Sequence, residues 1–174
     1  MGKIFTSRSV LFGFLLVAFI IVFEIILARL HLPAWPAFMV MIFFFVVHED
    51  LRQTPHILIG GLTGIVCVVL IEDFMHLLGP SVGMEAAKLA FIGLFVYAIV
   101  LLKDALPYVF NSYAFMFFLV SALAARQPDP APYVWMGVEL VVGAIFIAGI
   151  EGINRIVTAV LGGQGAALST CHRR

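Results

Sequence analysis

The chain has 174 residues, of which 63% are hydrophobic and 11% charged, and a mean hydropathy of +1.14; ordinary soluble domains carry about 25% charged residues. This composition excludes a monomeric water-soluble protein, and the length leaves no room for a separate soluble catalytic module. Lys and Arg (10) balance Asp and Glu (10), so no net charge draws the chain to nucleic acid.

In chain order, the first apolar run covers 10–30 and follows Lys3 and Arg8. It is too long for a signal peptide and no small-residue cleavage pattern follows it, so it predicts a retained first helix. Further helices are expected over 34–48, 57–78, 86–103, 107–125 and 133–160, giving an all-α polytopic membrane protein with six transmembrane helices in one domain, 1–160. The breaks are marked by "LPAWP", "HEDLRQTPH", "LGPSVGME", "KDALP" and "RQPDPAP", where proline removes a donor and biases its predecessor away from helix. The second span is short. Its apolar part, 34–47, rises about 1.5 Å per residue and falls short of a roughly 30 Å hydrocarbon core. The Gly-rich tail 161–174 is expected to be loosely ordered in the cytoplasm.

Charge placement sets the orientation. With the N-terminus inside, the inner segments hold Lys3, Arg8, Arg52, Lys103, Arg155, Arg173 and Arg174, and the outer segments hold Arg29, Lys88 and Arg126. The excess of inner Lys and Arg places both termini in the cytoplasm, which an even number of spans requires.

Two prolines suggest an internal repeat. Pro33 is followed by Phe43, Phe44 and Val46 at the spacing at which Pro107 is followed by Phe117, Phe118 and Val120. Halves of three spans, 10–78 and 86–160, would have opposite orientations, the 3+3 inverted-repeat plan found in many transporters. In that arrangement helices two and five are short or broken inside the bundle. Their N-terminal N–H groups, near Pro36, Ala37 and Phe38 and near Asn111, Ser112 and Tyr113, would face protein or a water-filled cavity and suit an anionic group. The plainer alternative puts Pro36 and Pro107 at ordinary first-turn positions.

Ionisable residues inside apolar spans are the next flags, since a charge there costs at least a few kcal/mol. Glu139 has no basic neighbour one turn away and is the first choice to face a polar pathway, followed by Glu24. Glu151 has Arg155 at i+4 and is expected to pair with it. Small residues repeat at four-residue intervals, Gly60 with Gly64 and Ala144 with Ala148 and Gly152, a pattern that permits close helix approach.

"HED" at His48 to Asp50 and "EDFMH" at Glu72 to His76 contain metal-ligating residue types, but the topology puts them on opposite sides of the membrane. No metal or other cofactor is therefore expected. Cys67 and Cys171 lie too far apart along the chain to suggest a disulfide framework or a zinc site. The serines lack a companion histidine at membrane depth, so no enzyme is expected.

The stretch "WPAFMVMIFFFVVHEDLRQTPHILIGGLTGIVCVVL" resembles the membrane domains of the fusaric-acid-resistance and aromatic-acid-exporter-like families, with a Trp/Pro-started helix, a polar turn containing Leu-Arg and a Gly-x-x-Gly-type helix. Over nearly the whole chain, the "LPAW" start, the later "LP" before a Phe-rich helix and the closing glycine-containing helix resemble a family of small bacterial inner-membrane proteins of unknown function. The first resemblance implies architectural roles for Pro36, Ala37, Gly60, Gly61 and Gly64, and no substrate residue. The large cytoplasmic region of many exporter-like members has no counterpart in this chain.

Together these readings anticipate a multi-pass protein of the bacterial inner membrane, homo-oligomeric in the lipid bilayer, that passes a small polar solute, with an anionic solute included. The alternative is a non-transporting membrane subunit that assembles with another membrane protein through its small-residue stripes.

Overall fold

The structure is a computed structural model that describes residues 7–126 and 130–171, with side chains described as far as Leu161. Lys3, Arg173, Arg174 and the centre of the "RQPDPAP" break lie outside the described residues, and the expected loose tail lies beyond the described side chains. Among the described residues the fold is entirely helical: α1 (Ser7–Arg29), α2 (Trp35–Val46), a 3-10 turn (Leu51–Gln53), α3 (Thr54–Val82), α4 (Met84–Leu102), α5 (Ser112–Ala124), α6 (Pro132–Gly137), a π-helical turn (Val138–Val142) and α7 (Gly143–Cys171). Four helical stretches are long and apolar enough to cross a membrane: Ser7–Arg29, Leu51–Val82, Met84–Leu102 and Pro132–Leu161. This fits a membrane protein. The helices α2 and α5 are apolar but shorter, with 12 and 13 residues, or roughly 18–20 Å at 1.5 Å per residue.

Local chemistry explains where the elements begin and end. Pro36 sits in the first turn of α2 and Pro55 in that of α3, where the missing N–H breaks no helical bond. The boundary expected at Pro80 falls at Gly83 instead. Helix α3 runs through Pro80 and ends two residues on, at Val82, where the capping Gly83 takes φ +92 and donates from its N–H to the Gly79 carbonyl at 2.8 Å. So close to a helix end, proline removes only one late bond, and glycine supplies the positive φ that stops the chain. Helix α5 begins at Ser112, not near Pro107, because Asn111 is extended (φ −145) and its side-chain Oδ1 accepts from the Ala114 N–H at 3.0 Å. The amide of Asn111 donates to the carbonyls of Pro107 (2.9 Å), Tyr108 (3.1 Å) and His56 (3.1 Å). One side chain thus caps α5, closes the turn before it and ties that turn to α3.

The turn between α2 and the 3-10 segment is tight. His48 and Glu49 both take positive φ, 57 and 61, a conformation in which non-glycine residues are uncommon. Glu49 accepts a hydrogen bond from the Asn154 side chain of α7, and the Asp50 carboxylate accepts from the Arg52 N–H at 2.9 Å. These contacts hold a turn that hydropathy alone leaves unspecified.

Packing divides the helices into two groups. Helices α4 and α5 lie against α3, whereas α1 and α2 lie against α7, and the groups meet where α3 touches α2, α6 and the π-helical turn. Lipid tails are as apolar as leucine, so such contacts depend on close van der Waals fit. Glycines sit where helices approach closely. A Cβ on Gly64 would strike the α5 main chain at Ala114 and Phe118, and one on Gly143 would stand 2.8 Å from Val40 of α2. Gly149 gives the same accommodation to the ring of Phe19 on α1. The expected Ala144, Ala148 and Gly152 stripe does not make these contacts. Ala144 and Ala148 are exposed and nothing lies within 4 Å of a Gly152 Cβ; the chain packs the neighbouring glycine face inward.

Candidate functional site

Glu139 is the one described residue whose carboxylate is fully buried (0% exposed). The chain reaches it through a Trp at i−4, Trp135, which is itself buried and meets Trp35 edge-to-face at 5.5 Å. The helix then widens into the π-helical turn Val138–Val142 between Gly137 and Gly143. Such single-turn widenings frequently accompany functional sites. Oε1 of Glu139 points at Gly61, 2.6 Å from where a Cβ would stand, and the Phe117 ring approaches the same point to 2.9 Å. Neither carboxylate oxygen has a hydrogen-bond partner among the described residues. An unmatched buried polar group costs several kcal/mol in an apolar setting, so this arrangement calls for an explanation beyond packing.

A cavity of about 570 Å³ opens at the end of the bundle where α2 and α4 finish and α3 and α5 begin. Its polar lining comes from Gln53, His56, Lys103, Asp104, Asn111 and Ser112. His56 stacks on Tyr108 with ring centroids 4.3 Å apart. The inner wall is aromatic: Phe43 and Tyr113 line the cavity, Phe43 lies 5.1 Å from Tyr113 and 5.8 Å from Phe117, and Phe117, behind them, borders Glu139 at Gly61. Two rings in succession, Phe43 and then Phe117, link the cavity wall to the buried acid.

A second cavity, about 450 Å³, opens at the opposite end of the same α3, α4 and α5 group. Its floor includes Val68, Ile71 and Leu119, and its charged groups are Glu72, Lys88 and Arg126. Between the two openings Phe118 of α5 packs on Phe95 (4.9 Å) and Phe91 (6.4 Å) of α4. The two cavities are separate, share no lining residue, and flank this aromatic packing at opposite ends of α3, α4 and α5.

The other residues singled out in the sequence are dispersed. Asn111, Ser112 and Tyr113 line the first cavity, although the Asn111 amide is committed to the main chain. Pro36 and Ala37 are buried, and Ala37 packs with Val138 and Phe146 in an apolar cluster that Phe38 borders. The N-terminal end of α2 is thus filled with side chains. Glu24 is exposed on α1. Glu151 and Arg155 form the i,i+4 ion pair at 3.0 Å. Gly60 receives the Asn111 side chain and Gly61 the Glu139 carboxylate. Among the described residues no three His, Cys, Asp or Glu side chains gather as a metal site would require. The places of Phe43 at the first cavity, Phe117 at Glu139 and Phe118 against α4 were not readable in the sequence, because phenylalanines in an apolar run carry no local signal of what they pack against.

No protein family, curated protein or solved structure matches this chain.

Proposed function

We propose that the chain is a six-span protein of the bacterial inner membrane, with both termini cytoplasmic, that passes a small polar solute along a path between α3, α4 and α5. The observation that carries this reading is the pair of cavities at opposite ends of one helix group with the packed rings of Phe91, Phe95 and Phe118 between them; in this reading those rings are the closure that moves. Both short helices count as spans here, extended by the turns beside them and shielded by neighbours, as irregular backbone at membrane depth requires. Two cations against one carboxylate in the second cavity, Lys88 and Arg126 with Glu72, favour an anionic or zwitterionic solute.

An inverted repeat gives this pathway a mechanism. The packing supports one, since α1 and α2 rest on α7 as α4 and α5 rest on α3. Extending the register that pairs Pro33 with Pro107 pairs Val40 with Ala114, and these are the residues that meet Gly143 and Gly64 in the two tight crossings. Movement of α4 and α5, which belong to the half 86–160, against α3, which belongs to the half 10–78, would open the cavities in turn.

The test is uptake by liposomes containing the purified protein, over a panel of labelled organic acids, amino acids and inorganic ions. Uptake above protein-free liposomes, lowered by Phe118→Trp and raised by Phe118→Ala, is expected. No uptake over the whole panel rejects the reading.

A second reading, a membrane subunit that serves another membrane protein, is favoured by the outward-facing Ala144, Ala148 and Gly152 and by Glu24 on the exposed side of α1. It predicts a stable partner after gentle solubilisation that Ala148→Leu releases. A homo-oligomer would use the same face.

A further inference from the structure

We propose that Glu139 is a proton-exchange site, reached from the Asn111-lined cavity when the rings of Phe117 and its neighbour Phe43 move aside. The geometry limits what can occupy the carboxyl. Gly61 supplies a notch in which Oε1 stands where a side chain would otherwise be, and the Phe117 ring closes that notch from α5. The side chain is fully buried, and among the described residues both oxygens are unpartnered. A hydrated cation does not fit against an aromatic ring and a glycine backbone, and a bare metal ion would need several ligands, whereas among the described residues no three His, Cys, Asp or Glu side chains gather. A proton needs no space.

The surroundings carry little competing charge. The helix α2 has no titratable side chain. On α3 the titratable groups nearest to Gly61 in sequence are His56 and Cys67, on α5 the one nearest to Phe117 is Tyr113, and on α6 Tyr133 is exposed. On α7 the charged groups Glu151 and Arg155 bond to each other. The route outward is short: Phe117 contacts Phe43, and Phe43 and Tyr113 face the cavity that also holds His56, Lys103 and Asp104. Displacement of the Phe117 ring together with its neighbour Phe43 would connect Glu139 to that water-accessible space. The site itself stands without the transport reading; that its proton is coupled to solute movement rests on that reading.

Infrared spectroscopy of the full chain in liposomes tests the site without any solute. A carboxylic-acid C=O band absent from Glu139→Gln is expected, and it should move to lower frequency when the buffer is exchanged into D₂O. Phe117→Ala should accelerate this exchange several-fold, and Val100→Ala, on the exposed face of α4, should leave it unchanged. If Phe117→Ala does not fold, Phe117→Leu reports the same acceleration. A band spectrum identical in the wild type and Glu139→Gln, or an exchange rate indifferent to residue 117, overturns the proposal. A normal exchange band in a protein without solute uptake would remove the transport reading and leave the proton site in place.

Discussion

The carboxylate of Glu139 occupies the space that a side chain on Gly61 would need: its Oε1 lies 2.6 Å from the Cβ position, closer than real Cβ contacts come. An acid on the sixth apolar segment and a glycine on the third are thus one unit, although 78 positions separate them in the sequence. Gly61→Ala should lower the stability by about 1–3 kcal/mol, the usual cost of overpacking. Because the far end of Glu139 is one of the two groups in the way, Glu139→Ala should restore part of the loss. Thermal melting of the single and double variants in detergent measures both, and strictly additive losses would contradict the contact.

Gly64 is a harder case. A methyl group there meets the main chain of α5 at Ala114 and, at 2.7 Å, the N–H of Phe118, and main chain cannot rotate out of the way. Gly64→Ala should therefore destabilise more than Gly61→Ala and push α5 away from α3. Gly93→Ala is the control, since nothing lies within 4 Å of its Cβ and a helical Gly→Ala change gains up to about 1 kcal/mol. Melting temperatures that fail to rank in the order Gly93→Ala, Gly61→Ala, Gly64→Ala would refute this account.

Asn111 combines a cap with a clamp. Removing the cap in Asn111→Ala should cost about 1 kcal/mol, with a further loss from the His56 carbonyl left without its donor. Asn111→Asp keeps an oxygen for the Ala114 N–H but offers nothing to the carbonyls of Pro107, Tyr108 and His56, so it should also melt early. An aspartate variant as stable as the wild type would show that the donated bonds contribute little.

The proposed orientation can be read by cysteine labelling in a Cys67→Ala, Cys171→Ser background. Ser81→Cys lies at the end of α3 assigned to the outside, and Asp104→Cys in the turn after α4 assigned to the cytoplasm. An impermeant maleimide should label Ser81→Cys in intact cells and Asp104→Cys only after the membrane is opened. The reverse pattern inverts the topology.

Much of the helical layout was readable because apolar runs and prolines act locally: Pro36 and Pro55 start helices, and Glu151 with Arg155 form the pair their spacing predicts. Asn111 also carried a local signal, a capping residue before an apolar run, but Pro107 offered a stronger one four residues earlier and drew the boundary to itself. The face of α7 that packs inward was not readable. Gly143 and Gly149 alternate with Ala144, Ala148 and Gly152 on one helix, and the choice between the faces depends on Val40 and Phe19, which arrive from distant segments. The same holds for Glu139. Its isolation from basic neighbours was visible in the sequence, whereas the notch and the aromatic wall that define its surroundings come from α3, α2 and α5.

A single residue, Gly83, joins α3 to α4. That leaves no hydrophilic loop for the insertion machinery to carry across between them, and no slack for α3 to settle in lipid before its successor emerges. In the proposed topology the two helices would therefore enter the bilayer together as a hairpin, and the surface of α3 and α4 on which α5 packs would already be standing when α5 is made.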